Sequence, residues 1–147
     1  MYIMVNILIL TGTFITMEAW AWFSHKYLLH GPLWFLHRSH HRARKSWFEW
    51  NDLVSLIYAA IAAGLILKGG PTGSWHLWVG IGIAGYGIFY FLFHDMIIHQ
   101  RIRFKRNFRN AYIRRLIRAH KQHHRHGAKN PGEAYGFLYA HKKYSVK

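Results

Sequence analysis

The chain has no cysteine, which excludes disulfides, thiolate metal sites and iron–sulfur clusters. It is nearly as short of acid, with five Asp and Glu against 20 Lys and Arg. A soluble protein so basic would suggest nucleic acid. Long uncharged stretches point elsewhere. "MYIMVNILILTGTFITMEAWAWF" carries only Glu18, and "WHLWVGIGIAGYGIFYFLF" carries no Asp, Glu, Lys or Arg. The first stretch has no positive n-region and no small-residue cleavage site after it, so it reads as a span rather than a removable signal peptide. Roughly 20 apolar residues cross ~30 Å of hydrocarbon. The basic charge is therefore expected to face a membrane, with no nucleic acid partner.

Three apolar segments are expected, at Tyr2–Phe23, Leu53–Leu67 and Trp75–Phe93. The second is short, and should borrow from "WFEWND" upstream or sit where the bilayer thins. "KGGPTGS", Lys68 to Ser74, reads as the tight turn of a helical hairpin. On this topology 19 of the 20 basic residues fall on one side: five between Lys26 and Lys45, and fourteen from Arg101 onward. Only Lys68 lies opposite. The positive-inside rule makes the basic side cytoplasmic and the N-terminus external. The expected fold is an all-α integral membrane bundle of about three to four transmembrane helices, forming a single domain over residues 1–147. The basic tail should attract anionic lipid, with docking of an acidic electron donor as a second role.

Thirteen histidines exceed what packing needs. Ten fall into four clusters: His25/His30, His37/His40/His41, His94/His99 and His120/His123/His124. All four lie on the expected cytoplasmic side. On an α-helix, positions i, i+3 and i+4 share a face, so each H-x-x-H-H triplet is expected to converge on one metal. H-x4-H differs, because five residues turn an ideal helix by roughly 140°. Its two histidines need a helix end, a π-bulge or separate targets. Gly31-Pro32 directly after His30 favours the helix end. Imidazole suits Zn, Cu, Fe and Ni. Ten imidazoles are too many for one four-coordinate site and suit two metals, each with a position left open. His76 and His141 have no partners at i±3 or i±4, and His76, His126 and His141 read as interfacial polar residues.

The series H-x4-H, H-x2-H-H, H-x4-H, H-x2-H-H resembles the membrane-bound fatty acid hydroxylase superfamily, relatives of the membrane desaturases. Within it, "HKYLLHGPLWFLHRSHH", "FEWND", "HDMIIHQR", "YIRRLIRAHKQHH" and "GFLYA" are similar to the bacterial carotenoid-ring hydroxylases, over most of Ala19 to Ala140. The resemblance implies a mono-oxygenase of the bacterial inner membrane with two non-haem iron ions, O2 as co-substrate and a reduced ferredoxin as electron donor. It implies hydroxylation at C3 of β-ionone rings, with a carotenoid substrate entering from the bilayer lipid. Carried over box by box, the metal ligands and catalytic residues would be His25, His30, His37, His40, His41, His94, His99, His120, His123 and His124.

Alternatives are a fatty acid or sterol hydroxylase of the same superfamily, a carotenoid ketolase, and a non-enzymatic membrane metal-binding protein. Soluble di-iron proteins use Glu with His, whereas carboxylates are scarce here. Glu18, Glu49, Asp52 and Asp95 are expected to orient imidazoles through their second nitrogen. Asp95 has an equal alternative, only capping or pairing with Arg101 or Arg103. Leu33, Trp34, Phe35 and Leu36 are expected to wall a substrate channel.

Overall fold

The computed structural model describes residues 2–44, 46–105, 107–125, 127–130 and 132–145, and all of its regular elements are helical. Three helices are long and apolar enough to cross a membrane: Tyr2–Leu29, Asp52–Thr72 and Trp75–Ile98. Helix α1 (Tyr2–Phe23) has no buried residue. Large apolar side chains stand exposed along it, while the buried set is dominated by histidines. That inverts the arrangement of a water-soluble domain and matches a chain whose solvent is lipid.

A short helix α2 (Trp34–His37) follows, then α3 (Asp52–Gly69). The second span gains its length downstream rather than from "WFEW". It runs through Lys68 and Gly69 into a 3-10 turn at Gly70–Thr72. Gly73, at φ 62°, supplies the left-handed residue that closes the hairpin. Helix α4 (Trp75–Tyr90) then returns across the bundle.

Helix α4 is the central element, packed on both α1 and α3. Gly80 and Gly82 make this possible. Two residues apart on a helix is roughly 200°, so they face opposite neighbours. A Cβ on Gly80 would lie 2.9 Å from the carbonyl oxygen of Ala62 in α3. On Gly82 it would lie 2.9 Å from that of Leu10 in α1. Such close backbone approach is how helices pack in a medium that supplies no hydrophobic drive.

Helix α5 (Ala111–His124) is polar, amphipathic and not a span. Asn110 caps it by accepting from the N–H groups of Tyr112 and Ile113. Its apolar side packs Leu116 and Ala119 against Ala140. The same buried face, one turn further on, carries His120 and His123 into the end of the bundle.

Candidate metal centre

The spans do not end as α-helices. Ser24–Leu29 and Phe91–Ile98 are wound as π-helix. The N–H of His30 donates to the carbonyl of His25 at 3.0 Å, and that of His99 to His94 at 2.9 Å. These i→i+5 bonds are the π pattern, and they bring both members of each H-x4-H onto one face. Of the possibilities open for that spacing, the π-turn holds, and it sits at the helix end. Helix α2 presents His37, a turn beyond it presents His40 and His41, and the last turns of α5 present His120, His123 and His124.

All ten clustered histidines meet, in two groups. His25, His30, His37, His41 and His123 form the first, and His40, His94, His99 and His120 the second. In each, the ligand-capable atoms lie within 4.8 Å of one another. His124 joins the second through its Nε2, 2.9 Å from that of His120. The expectation that each triplet shares one focus is therefore corrected. His37 and His41 serve the first group and His40 the second, while His123 and His120 divide in the same way. Residues i+3 and i+4 diverge enough around a helix to address two centres about a turn apart. His76 and His141 stay outside, on Ser74 and on the N–H of Lys143 respectively. His126 lies outside the described residues.

The second nitrogen of six histidines is tied down. Nδ1 of His25, His30 and His123 faces the backbone carbonyls of Tyr135, Lys129 and Glu133, at 2.9, 2.8 and 2.8 Å. His37 faces Asn51 Oδ1 at 2.7 Å, His40 faces Glu49 at 3.0 Å and His94 faces Asp95 at 2.8 Å. Every partner atom is an acceptor, so each Nδ1 carries the proton and each Nε2 is a bare lone pair. Yet Nε2 of His30 lies 3.2 Å from that of His123, His25 3.0 Å from His37, and His40 3.1 Å from His94.

Protonation does not relieve these contacts near neutral pH. Burial, with the neighbouring imidazoles, lowers His37 to about 3 and His41 to about 2. Burial with nearby Arg101 and His123 lowers His99 to about 4. Burial holds His123 at about 4 despite its bond to Glu133, and lowers His30 as well. Paired lone pairs in a buried, neutral, all-nitrogen cage fit a cation between them. Neutral imidazole suits Zn, Cu, Fe or Ni.

Two of the four carboxylates near the boxes orient imidazoles as expected, Glu49 and Asp95. Asp95 also pairs with Arg101 (Nε to Oδ2 3.4 Å), so its two expected roles coexist. The other two are corrected. Asp52 binds Arg101 and the N–H of Glu49. Glu18 accepts from the hydroxyl of Tyr86 and the N–H groups of Phe137 and Leu138. Asn51 and the carbonyls of Lys129, Glu133 and Tyr135 were missed, because backbone and amide acceptors carry no signature in a search for charge. Phe137, within "GFLYA", stacks on His25 at 5.6 Å.

Two openings adjoin the groups. A polar pocket of about 410 Å³ is lined by His40, His99, Arg42, Arg44, Arg101 and Arg103. An apolar groove of about 910 Å³ runs between α1 (Phe14, Ile15, Ala19, Trp22) and the later segment of Tyr135 and Leu138. The Tyr135 ring lies 5.2 Å from His30 and 5.3 Å from His123. The groove does not involve Leu33–Leu36. Of these, Trp34 lies over His30 and His41, both at 5.1 Å, and Phe35 is exposed.

The model for the fatty acid hydroxylase family matches residues 10–141. The chain belongs to that family. A β-carotene hydroxylase of Pantoea ananas is 45% identical to this hydroxylase over 136 residues, 92% of this chain and 77% of the relative. The β-carotene hydroxylase of Pseudescherichia vulneris is 43% identical, over 95% of this chain and 79% of its own. That of Paracoccus sp. (strain N81106 / MBIC 01143) is 38% identical, over 93% and 85%. No solved structure matches the chain. The protein is thus an oxidoreductase of a hydroxylase family, built on membrane-spanning helices and clustered histidines.

Proposed function

We propose that this hydroxylase adds oxygen at C3 of β-ionone rings, taking β-carotene through β-cryptoxanthin to zeaxanthin. Each step balances as R–H + O2 + 2e⁻ + 2H⁺ → R–OH + H2O. Two non-haem iron ions would supply the activation of O2. The observation that carries the reading is the set of facing Nε2 lone pairs, in two groups, in a chain whose similar relatives are β-carotene hydroxylases.

His25, His30, His37, His41 and His123 hold one ion in this reading, and His40, His94, His99, His120 and His124 the other. The protein's remaining work is orientation and exclusion of competing reactions. The apolar groove beside Tyr135 suits a hydrocarbon arriving from lipid. The arginine-lined pocket beside His40 and His99 suits an acidic donor such as reduced ferredoxin. In this reading the site faces the cytoplasm from a bacterial inner membrane, which the basic segments support, and residues 1–147 form one domain.

The test is expression in cells that accumulate β-carotene, with identification of the pigments. β-Cryptoxanthin and zeaxanthin are expected. Hydroxylated fatty acids or sterols with unchanged β-carotene would overturn the substrate assignment.

A further inference from the structure

The two histidine groups are not backed alike. In the first, the described partners of Nδ1 are neutral: the carbonyls of Tyr135, Lys129 and Glu133, and the amide of Asn51. In the second, two Nδ1 atoms meet carboxylates, His40 on Glu49 and His94 on Asp95. Both carboxylates lead to Arg101. Its Nε lies 3.4 Å from Asp95, and a terminal nitrogen lies 4.0 Å from Glu49. Arg101 is fixed in turn by Asp52 and by the carbonyl of Trp47 at 3.0 Å. Its backbone N–H donates to the carbonyl of Asp95 at 2.9 Å. The side chains of Arg101, Glu49, Asp95 and Asp52 are only 10–17% exposed, so water screens the network weakly.

A carboxylate draws the Nδ1 proton harder than a carbonyl does. The imidazole then takes on more anionic character, and its Nε2 becomes a stronger donor. Resting on the reading that both groups hold metal, we propose that they are inequivalent sites. The second is the tighter, stronger-field site, made so by Glu49 and Asp95, with Arg101 as the residue that positions both. Arginine suits this task because its fork reaches several carboxylates from one fixed plane, which a lysine cannot do.

The experiment titrates metal-stripped protein in detergent with cobalt(II), followed by its visible absorption, and repeats the titration with iron(II) followed by Mössbauer spectra. Wild type should bind two ions in two separable steps, and a half-loaded sample should show one iron environment. Glu49→Gln and Asp95→Asn keep an acceptor oxygen and remove the charge. Each should weaken the tighter step by about 10–100-fold and leave the weaker step nearly unmoved. Arg101→Lys should follow them. Asn51→Ala should shift the weaker step alone. If Arg101→Lys or Asn51→Ala fails to fold, the two near-isosteric variants still decide. Two equal steps in wild type, or both steps weakened together by Glu49→Gln, overturns the inference while the two-metal reading stands. Uptake of a single ion overturns that reading and the inference with it. The titration is independent of substrate, so failure to hydroxylate carotenoid does not bear on it.

Discussion

Glu18, inside the first span, binds the backbone N–H of Leu138 at 2.9 Å across 120 positions of sequence. The same oxygen takes the N–H of Phe137, and the other takes the hydroxyl of Tyr86 in α4. The carboxylate thus staples three distant parts of the chain. The stapled segment carries Tyr135, whose carbonyl orients His25, and Phe137, which stacks on it. Hydrogen bonds to a charged group contribute about 1.5–3 kcal/mol. Glu18→Ala is expected to lower the unfolding temperature in detergent and to cut bound metal as well as turnover. Glu18→Gln keeps one acceptor and should lie between. An alanine variant with full metal content would show that the staple does not matter to the site.

The division of each triplet between groups gives the histidine variants a sharper signature than loss of turnover. His40→Ala, His41→Ala, His123→Ala and His124→Ala should each abolish hydroxylation, whereas His76→Ala and His141→Ala should not. Beyond that, His41→Ala and His123→Ala should perturb one metal, and His40→Ala and His124→Ala the other. Spectra of the metal-loaded variants would separate the pairs. Retained activity in two of the four would remove the ten-ligand assignment.

Much of this was legible in the residues. The three spans, the hairpin turn and the four clusters follow from hydropathy, Gly/Pro punctuation and spacing. What was illegible depends on winding and on backbone. The triplets look like single-metal faces on an ideal helix, but the chain breaks helicity after His37 and His40 turns away from His37 and His41, while on unbroken α5 the i+3 residue His123 faces the other group from His120. The H-x4-H spacing leaves a helix end, a π-bulge or separate targets open, and Gly31-Pro32 favours the helix end; the π winding itself is settled only by the folded backbone. The carbonyls of Lys129, Glu133 and Tyr135 could not be read at all, since every residue has one. Glu18 looked like a site carboxylate because of its nearness in sequence to His25, yet folding spends it on the 137–138 N–H groups.

Acid should dismantle the centre from a predictable pH. His37 at about 3, and His99 and His123 at about 4, lie below the ordinary 6.5 because burial disfavours their charged forms. The unfolded chain therefore binds more protons than the folded one between about 6.5 and 3. The stability these groups contribute is complete above about 6.5 and is lost as the pH falls toward their folded values. Metal adds to the trend, since ligating imidazole must be neutral. Metal-stripped protein should melt at a lower temperature at pH 5 than at pH 8, and loaded protein should release ions over the same interval. A melting temperature that rises on acidification would contradict the neutral cage.

Topology is open to direct measurement. From the charge split, the Gly70–Ser74 hairpin and the C-terminal end are expected on opposite sides of the membrane. Reporter fusions at Ser74 and after Lys147 should give opposite compartments, with the C-terminal fusion cytoplasmic. A cytoplasmic signal at Ser74 would reverse the hairpin.

The order of products tests how a long substrate uses a small site. β-Carotene is a symmetric rod with a ring at each end, and both histidine groups lie at one end of a small bundle. A ring can approach only one at a time, so the distal ring must remain in lipid or along the apolar groove between α1 and the 133–144 segment. The singly hydroxylated molecule then has to leave, or reverse, before its second ring reacts. β-Cryptoxanthin should therefore rise before zeaxanthin in a time course. Label from oxygen gas, not from water, should appear in each hydroxyl. Trp34 lies against His30 and His41 at 5.1 Å, where it can limit how deeply a ring enters. Trp34→Ala should loosen that depth and change the ratio of products before it removes activity, with metal content unaltered. Filling the groove with Ala19→Trp should instead raise KM and leave regiochemistry alone. Products bearing keto groups at C4 would refute hydroxylation at C3 even with both histidine groups intact.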